Sequence, residues 1–496
     1  MTTRANDRDG NTNRFLQVPA PRSATRLAAL AASAALAFLW LGRGLPGVPW
    51  ASPDSEGYLG FSPIRPHGYS LFLAGYRIVF DDLAHLPSVQ FALYIGAVLL
   101  LAIAVGRRTR SFAAALATLV VAFAAGNTTH FPYVVSDPIY ATALTAGIAG
   151  FILYADAPRP GFLLLASAGF GIAISFRAIG LALLPGFFLA VVLDSIGRRG
   201  GLVRAAVLSV LPIALFYLAA ASSQLVHNGR FVLGSWGGMD VLGKVPLLSR
   251  PVPGEAGRLN GVVEAMEPGR DKLRQLNPFV EALAARQYYD YLRWYVAVPE
   301  LERSWPDWRN GDDYRRGELA AELAQAYVLQ DPLGFGRRTA IDLIGLWAMP
   351  RWLTGGERDI ALAEVEAVGE LPGLTSFSRT PEGKLEYYKI VPDPSDPTEI
   401  VIFRLVVASF WALSLGFVAL LAGSRARAAV AMPDLVLILV TVHALYLGTA
   451  LMEGTYARYV MPTWPALVAG PILALGLFWR RRSDARSRSL GWRARD

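Results

Sequence analysis

Asp54 and Glu56 stand two residues apart in SPDSEGYLGFSPIRPHGYSLFLAGYRIVF, residues 52–80. In a loop of Pro, Ser and Gly, carboxylates this close can face one cavity. Their mutual repulsion then raises one pKa, as a general base requires. The plain alternative is a pair of solvated loop acids. The RPHGY that follows supplies a cation, Arg65, an imidazole, His67, and a rigid turn. Arg177, in AISFRAIGLALLPG, separates two apolar runs. An arginine near membrane depth is costly, so it is paired, faces a polar cavity or snorkels to the surface. Asp137, in NTTHFPYVVSDPIY, opens a helix, where the dipole by itself favours an acid. Arg458 and Tyr459 fall in EGTYARYVMPTWP, whose aromatics also fit an interfacial belt. Lys244, in SWGGMDVLGKVPLL, is a weaker candidate cation. Carboxylates, arginines and aromatics gathered at one face describe a site for an anionic lipid carrying a polar group.

The elements that must gather them are membrane helices. The chain has 496 residues, 53% hydrophobic and only 17% charged, with mean hydropathy +0.36. That composition cannot supply the wet exterior of a soluble protein of this size. Apolar runs fall near 24–42, 89–106, 111–126, 137–155, 160–176, 178–193, 204–223, 401–423, 432–452 and 460–479. Each approaches the ~20 residues that cross a bilayer. The first lacks a cleavage site and reads as a retained helix rather than a signal peptide. With no cysteine, disulfides and thiolate chemistry are excluded. Five histidines, none in HxxxH or HExxH spacing, argue against a zinc enzyme.

Charge orients the spans. Alternate loops and both tails hold 20 basic residues, whereas the short loops on the other side hold five: Arg43, Arg65, Arg77, Arg177 and Arg458. The positive-inside rule therefore puts both termini in the cytoplasm and all the candidate residues on the outer face. The resulting expectation is a cytoplasmic tail, 1–23, and an N-terminal transmembrane module, 24–223, with a first outer loop at 44–88. An outer insertion at 224–400 follows, then C-terminal helices at 401–480 and a basic tail at 481–496. The insertion carries 20 basic and 26 acidic residues. Within it, 279–299 and 314–330 read as amphipathic helices, and 337–349 as a helical segment resting on the membrane interface. Residues 69–80 form a short interfacial helix by the same reasoning. The net charge of +8 is thus a topology signal and not a nucleic-acid signal.

Taken together, Asp54, Glu56, the RPHGY stretch, Asp137, FRAIGLALLP around Arg177 and ARYVMPTWP around Arg458 resemble the type C glycosyltransferases. These multispanning enzymes take sugars from polyprenyl-phosphate carriers. The likeness is to the branch with protein O-mannosyltransferases and the transferases that put aminoarabinose on lipid A, over roughly 50–230 and 400–480. The resemblance implies an all-α polytopic fold in the bacterial inner membrane and inverting transfer to a glycan, lipid or protein acceptor. It makes Asp54 or Glu56 the base, and Arg177, Arg458, Arg65 and His67 the cations on the phosphate, with Lys244, Asp137 and Tyr459 beside them. The scheme requires no cofactor, and no carboxylate cage for a divalent metal is evident. This sequence departs from the family in the Ser55 between its acids. It also departs in having a large internal insertion, where the commonest members carry a soluble domain after the last helix. Two other classes remain, a lipid-linked-sugar flippase or other transporter and a non-catalytic membrane scaffold. A transporter needs polar residues at the centre of its spans.

Overall fold

The computed structural model describes residues 21–52, 54–124, 130–198, 201–235, 237–348, 397–422, 432–452 and 461–493. The described residues are mainly helical and include no named strand; one bridge joins Trp50 to Tyr133. Nine helices precede the insertion: α1 Pro21–Gly42, α2 Ser55–Leu59, α3 Gly68–Phe80, α4 Leu86–Thr109, α5 Phe112–Ala124, α6 Asp137–Asp156, α7 Pro160–Phe176, α8 Leu184–Gly197 and α9 Leu202–Asn228. The insertion holds α10 Gly237–Leu242, α11 Asn260–Ala265, α12 Glu267–Arg274, α13 Pro278–Tyr291, α14 Val298–Ser304, α15 Pro306–Asn310, α16 Asp313–Gln330 and α17 Pro332–Ala348. α18 Pro397–Ala422, α19 Pro433–Met452 and α20 Trp464–Arg493 complete the order.

Among the described residues, each of the ten apolar runs falls on a helix. Eight are long and apolar enough to cross a membrane, one of them continuous from Ala178 through α8; α5 and α7 are shorter. Proline sits in the first turn of α4, α6, α7 and α8, where its missing N–H costs nothing and its fixed φ suits the helix. The spans have no hydrophobic drive to associate inside lipid, so close packing must hold them. Small residues allow it: a Cβ on Gly169 of α7 would lie 2.6 Å from the Ala143 carbonyl of α6. Phe170 packs its ring 4.7 Å from that of Phe187 in the bundle core. The Trp464 indole stacks on Phe403 at 4.9 Å and donates to the Ala122 carbonyl at 3.2 Å, tying α20 to α18 and α5.

The bundle has two unlike ends. One carries arginines at helix termini, with Arg108 paired to Asp434 at 2.6 Å and Arg198 to Asp194 at 2.7 Å. The other carries α2, α3 and the insertion, which has its own core around Trp308 and Tyr327.

Sequence periodicity anticipates α3 and α16 closely, and Asp331 stops α16 as expected. The expected surface position of residues 337–349 is corrected. The end of α17 enters the bundle between α18 and α19, where Trp347 is 8% exposed. Its ring stacks on Tyr446 at 4.0 Å and lies 5.3 Å from that of His443. His443 sits nine residues before the end of α19, or about 14 Å along a helix rising 1.5 Å per residue. An apolar IGLWA end can enter because its side chains suit the apolar surroundings and its N–H groups are bonded within the helix. Trp352, also expected at the interface, lies outside the described residues, as does most of the Pro/Asp linker at 391–398.

A candidate active site at the insertion end of the bundle

The loop after α1 is fastened to the loop before α6. Trp50 N–H donates to the Pro132 carbonyl at 2.7 Å, and Val134 N–H donates to the Trp50 carbonyl at 3.1 Å. Ser55 then accepts from Ser52 N–H at 2.8 Å and donates its hydroxyl to the Val134 carbonyl at 3.0 Å. These bonds fix the start of α2, and with it Asp54, in the position that precedes the first helical residue.

Asp54 and Arg65 form an ion pair, with Nη2 2.6 Å from Oδ1 and the side chains 17% and 27% exposed. Arg65 also donates to the Tyr58 hydroxyl at 3.4 Å, and its guanidinium lies 5.0 Å from the Tyr58 ring centre. The Tyr58 and Ser136 hydroxyls are hydrogen-bonded at 2.8 Å. Ser136 immediately precedes Asp137, whose carboxylate accepts from Arg177, both side chains being buried. One chain of contacts thus runs from Asp54 through Arg65, Tyr58 and Ser136 to the Asp137–Arg177 pair. Four of the residues singled out in the sequence meet in it.

The platform beneath is aromatic. Tyr69 sets its ring edge-on to Tyr58 at 4.9 Å and lies 5.8 Å from Phe176. Burial, then the Tyr58 hydroxyl and Asp137, hold the Tyr69 phenol well above its ordinary pKa. It therefore stays protonated and donates to Gln90 Oε1 at 2.9 Å. Gly68 lets α3 press on the end of α7, since a Cβ there would lie 2.4 Å from the Ser175 carbonyl. Any larger residue would push α3 off the helix that presents Arg177.

The other candidates are placed differently. Glu56 does not share a cavity with Asp54. α2 is helical from Ser55, and residues two apart on a helix point to nearly opposite sides, which leaves Glu56 exposed. His67 is fully buried within the fold. Its Nε2 donates to the Phe61 carbonyl at 3.1 Å, and its Nδ1 lies 3.0 Å from the Ser223 hydroxyl. Burial, with His227 nearby, lowers its pKa, so it is neutral at pH 7 and a poor partner for phosphate.

Lys244 is fully buried and is committed to structure: its ammonium donates to Asp342 Oδ2 at 3.0 Å and to the Ala450 carbonyl. Tyr289 and Arg338 donate to the same Asp342 carboxylate at 2.8 and 2.9 Å, and Arg338 reaches Glu281 at 3.1 Å. Lys244 thereby ties α17 to the end of α19. Arg458 and Tyr459 lie outside the described residues. Among those described, no three His, Asp or Glu side chains gather as a metal site.

Tyr58, Ser136, Tyr69 and Gln90 escaped the sequence reading. Two signals for them existed. Tyr58 is four residues after Asp54, hence on the same helical face, and Ser136 adjoins Asp137.

No protein-family model matches this chain, and no curated protein sequence matches it. Among solved structures, apo ArnT from Cupriavidus metallidurans is similar over 92% of this chain and 78% of its own, at 12% identity and a TM-score of 0.32. The same protein bound to undecaprenyl phosphate is similar over 90% and 78%, at 14% identity and a TM-score of 0.30. A likeness this distant assigns no residue here a role.

Proposed function

We propose that this chain is an integral-membrane glycosyltransferase that moves a sugar from a polyprenyl-phosphate donor to a hydroxyl-bearing acceptor at the insertion end of the bundle. The observation that carries the proposal is the partly open Asp54–Arg65 pair, joined through Tyr58 and Ser136 to the buried Asp137–Arg177 pair. Such a constellation is poorly explained by stability alone, because buried ion pairs seldom repay their desolvation. The sequence resemblance to type C glycosyltransferases supports the same reading.

In the proposed step the acceptor hydroxyl attacks the anomeric carbon. Its proton passes to the Asp54 carboxylate, the bond from carbon to phosphate oxygen breaks, and the electron pair leaves with the polyprenyl phosphate. The product is inverted. A positioned base is worth about 10²–10⁴-fold. In an inverting displacement the base and the leaving group lie on opposite faces of the sugar. Arg65, paired with the base, is therefore a positioning residue. The cation for the leaving phosphate is assigned to Arg177 and Arg458, since a planar guanidinium can hold two oxygens at once. Asp137 sets the Arg177 guanidinium, while His67 and Lys244 hold the surrounding fold. The step needs no metal. The insertion is assigned to acceptor recognition, and the membrane to the bacterial inner membrane with the site on its outer face.

A transporter reading is less favoured. In the described spans, Asp, Glu, Lys and Arg all lie within about two turns of an end of the span. The test is a comparison of envelope glycans and glycolipids, by mass spectrometry, between a deletion strain and its parent. Loss of one sugar residue is expected and names both sugar and acceptor. Identical profiles, with a lipid-linked sugar accumulating on one side of the membrane, would replace the transferase with a flippase.

A further inference from the structure

The arginine end of the bundle carries a second feature, separate from the candidate active site. α4 runs from one to the other: Gln90, bonded to Tyr69, and Arg110 are twenty residues apart, about 30 Å of helix. Beyond Thr109, α4, α5 and α20 enclose a cavity of about 570 Å³. Ala114, Ala117, Leu475 and Trp479 give it an apolar side, and Arg110 and Arg480 line it among other polar residues. Leu475 and Trp479 are exposed, so the cavity opens toward the hydrocarbon boundary instead of the protein interior.

The charges at this end are unevenly matched. Arg107, Arg108 and Arg198 each have an aspartate partner. Among the described residues Arg110 and Arg480 have no carboxylate within ion-pair reach, although Arg480 spends one N–H on the Arg108 carbonyl at 2.7 Å. Arg110 ends α4 in the left-handed backbone region, at φ +59°, and its exposed side chain lines the cavity. Arg481 and Arg482 follow Arg480, so the local field is strongly positive. A half-open slot with an apolar side and two guanidiniums in its lining matches an amphiphile with a negative head and an apolar tail. A free anion would leave the apolar wall unused, and a zwitterionic lipid would bring its own cation to the arginines.

We propose that this cavity binds an anionic phospholipid, its phosphate between Arg110 and Arg480 and an acyl chain along Ala114, Ala117 and Leu475. A lipid there bridges α20 to α4 and α5.

The test is native mass spectrometry of the full chain in mild detergent, titrated with phosphatidylglycerol or with phosphatidylcholine of the same acyl chains. The wild-type protein is expected to bind its first phosphatidylglycerol at least tenfold more tightly than phosphatidylcholine. Arg110→Gln/Arg480→Gln is expected to weaken that binding by about fivefold per arginine. Ala117→Phe, which fills the slot without changing charge, is expected to weaken it too. Arg110→Gln alone, on an exposed side chain, keeps the test available if the double variant fails to fold. Equal affinity for the two lipids, unchanged affinity in the arginine variants, or displacement of the lipid by millimolar inorganic phosphate would each overturn the proposal.

Discussion

Tyr58 is where the two ion pairs of the candidate site meet, since its hydroxyl touches both Arg65 and Ser136. Asp54 and Arg65 keep some exposure, whereas Asp137 and Arg177 are almost wholly buried. That difference separates their roles. Arg65→Gln is expected to lower kcat by on the order of 10²-fold with little change in donor KM, as misplacement of a reacting group does. An equal rise in KM would instead put Arg65 on the donor. Arg177→Ala strands a buried carboxylate and is expected to cost about 3–5 kcal/mol in stability. Arg177→Met with Asp137→Leu removes both charges and is expected to recover most of that cost while remaining inactive. Restored transfer in that double variant would refute a phosphate-binding role for Arg177. The charged residues of this site, Asp54, Arg65, Asp137 and Arg177, were legible in the sequence because charge beside membrane spans is costly and stands out, whereas Tyr58 and Tyr69 were not. Nor was the pairing of the charges. Asp54 and Glu56 look equivalent until α2 is known to be helical from Ser55, and helical geometry then separates them.

The elements that hold the site are short and locally fastened. α2 and α3 owe their positions to the strapped Trp50 segment and to the buried His67, which anchors the 61–67 turn to α9 through Ser223. His67 has a folded-state pKa below its ordinary 6.5. As pH falls through 6.5 the unfolded chain takes up a proton that the folded chain resists, so the stability from this group is complete above 6.5 and declines below it. The melting temperature in detergent should fall more between pH 7.5 and 5.5 for the wild-type protein than for His67→Gln. Equal falls would remove His67 from the account. Lys244 acts at the same scale. Lys244→Met leaves Asp342 buried with one cation fewer and loosens α17 from the end of α19. A loss of several kcal/mol is expected, read as a lower midpoint of denaturation. Sequence periodicity found α3, α13 and α16. It missed the descent of α17 because a short apolar helix end reads alike on a membrane surface and between two spans. Only Trp347 against Tyr446 and His443 decides between them.

At the scale of the molecule, the apolar runs were the plainest signal, and among the described residues each of the ten falls on a helix. Boundaries moved by a few residues, and α5 and α7 fall short of the length of the rest. Which end faces outward rests on charge alone, and a chain without cysteine makes it directly measurable. A single cysteine at Asp307, in the insertion, is expected to react with a membrane-impermeant maleimide on intact spheroplasts. One at Ser483 is expected to react only after permeabilisation. The reverse pattern would put the candidate site on the cytoplasmic face and remove the lipid-linked donor from reach. Under the proposed function and the proposed lipid site, the two unlike ends have separate tasks, chemistry at the insertion end and anchoring at the arginine end. The proposed chemistry turns on Asp54 taking the acceptor's proton. It is tested most directly by returning either the wild-type gene or Asp54→Asn to a deletion strain and measuring the envelope sugar by mass spectrometry. Wild type is expected to restore the sugar, and Asp54→Asn, present in the membrane at equal abundance, is expected not to. Full restoration by Asp54→Asn would contradict it.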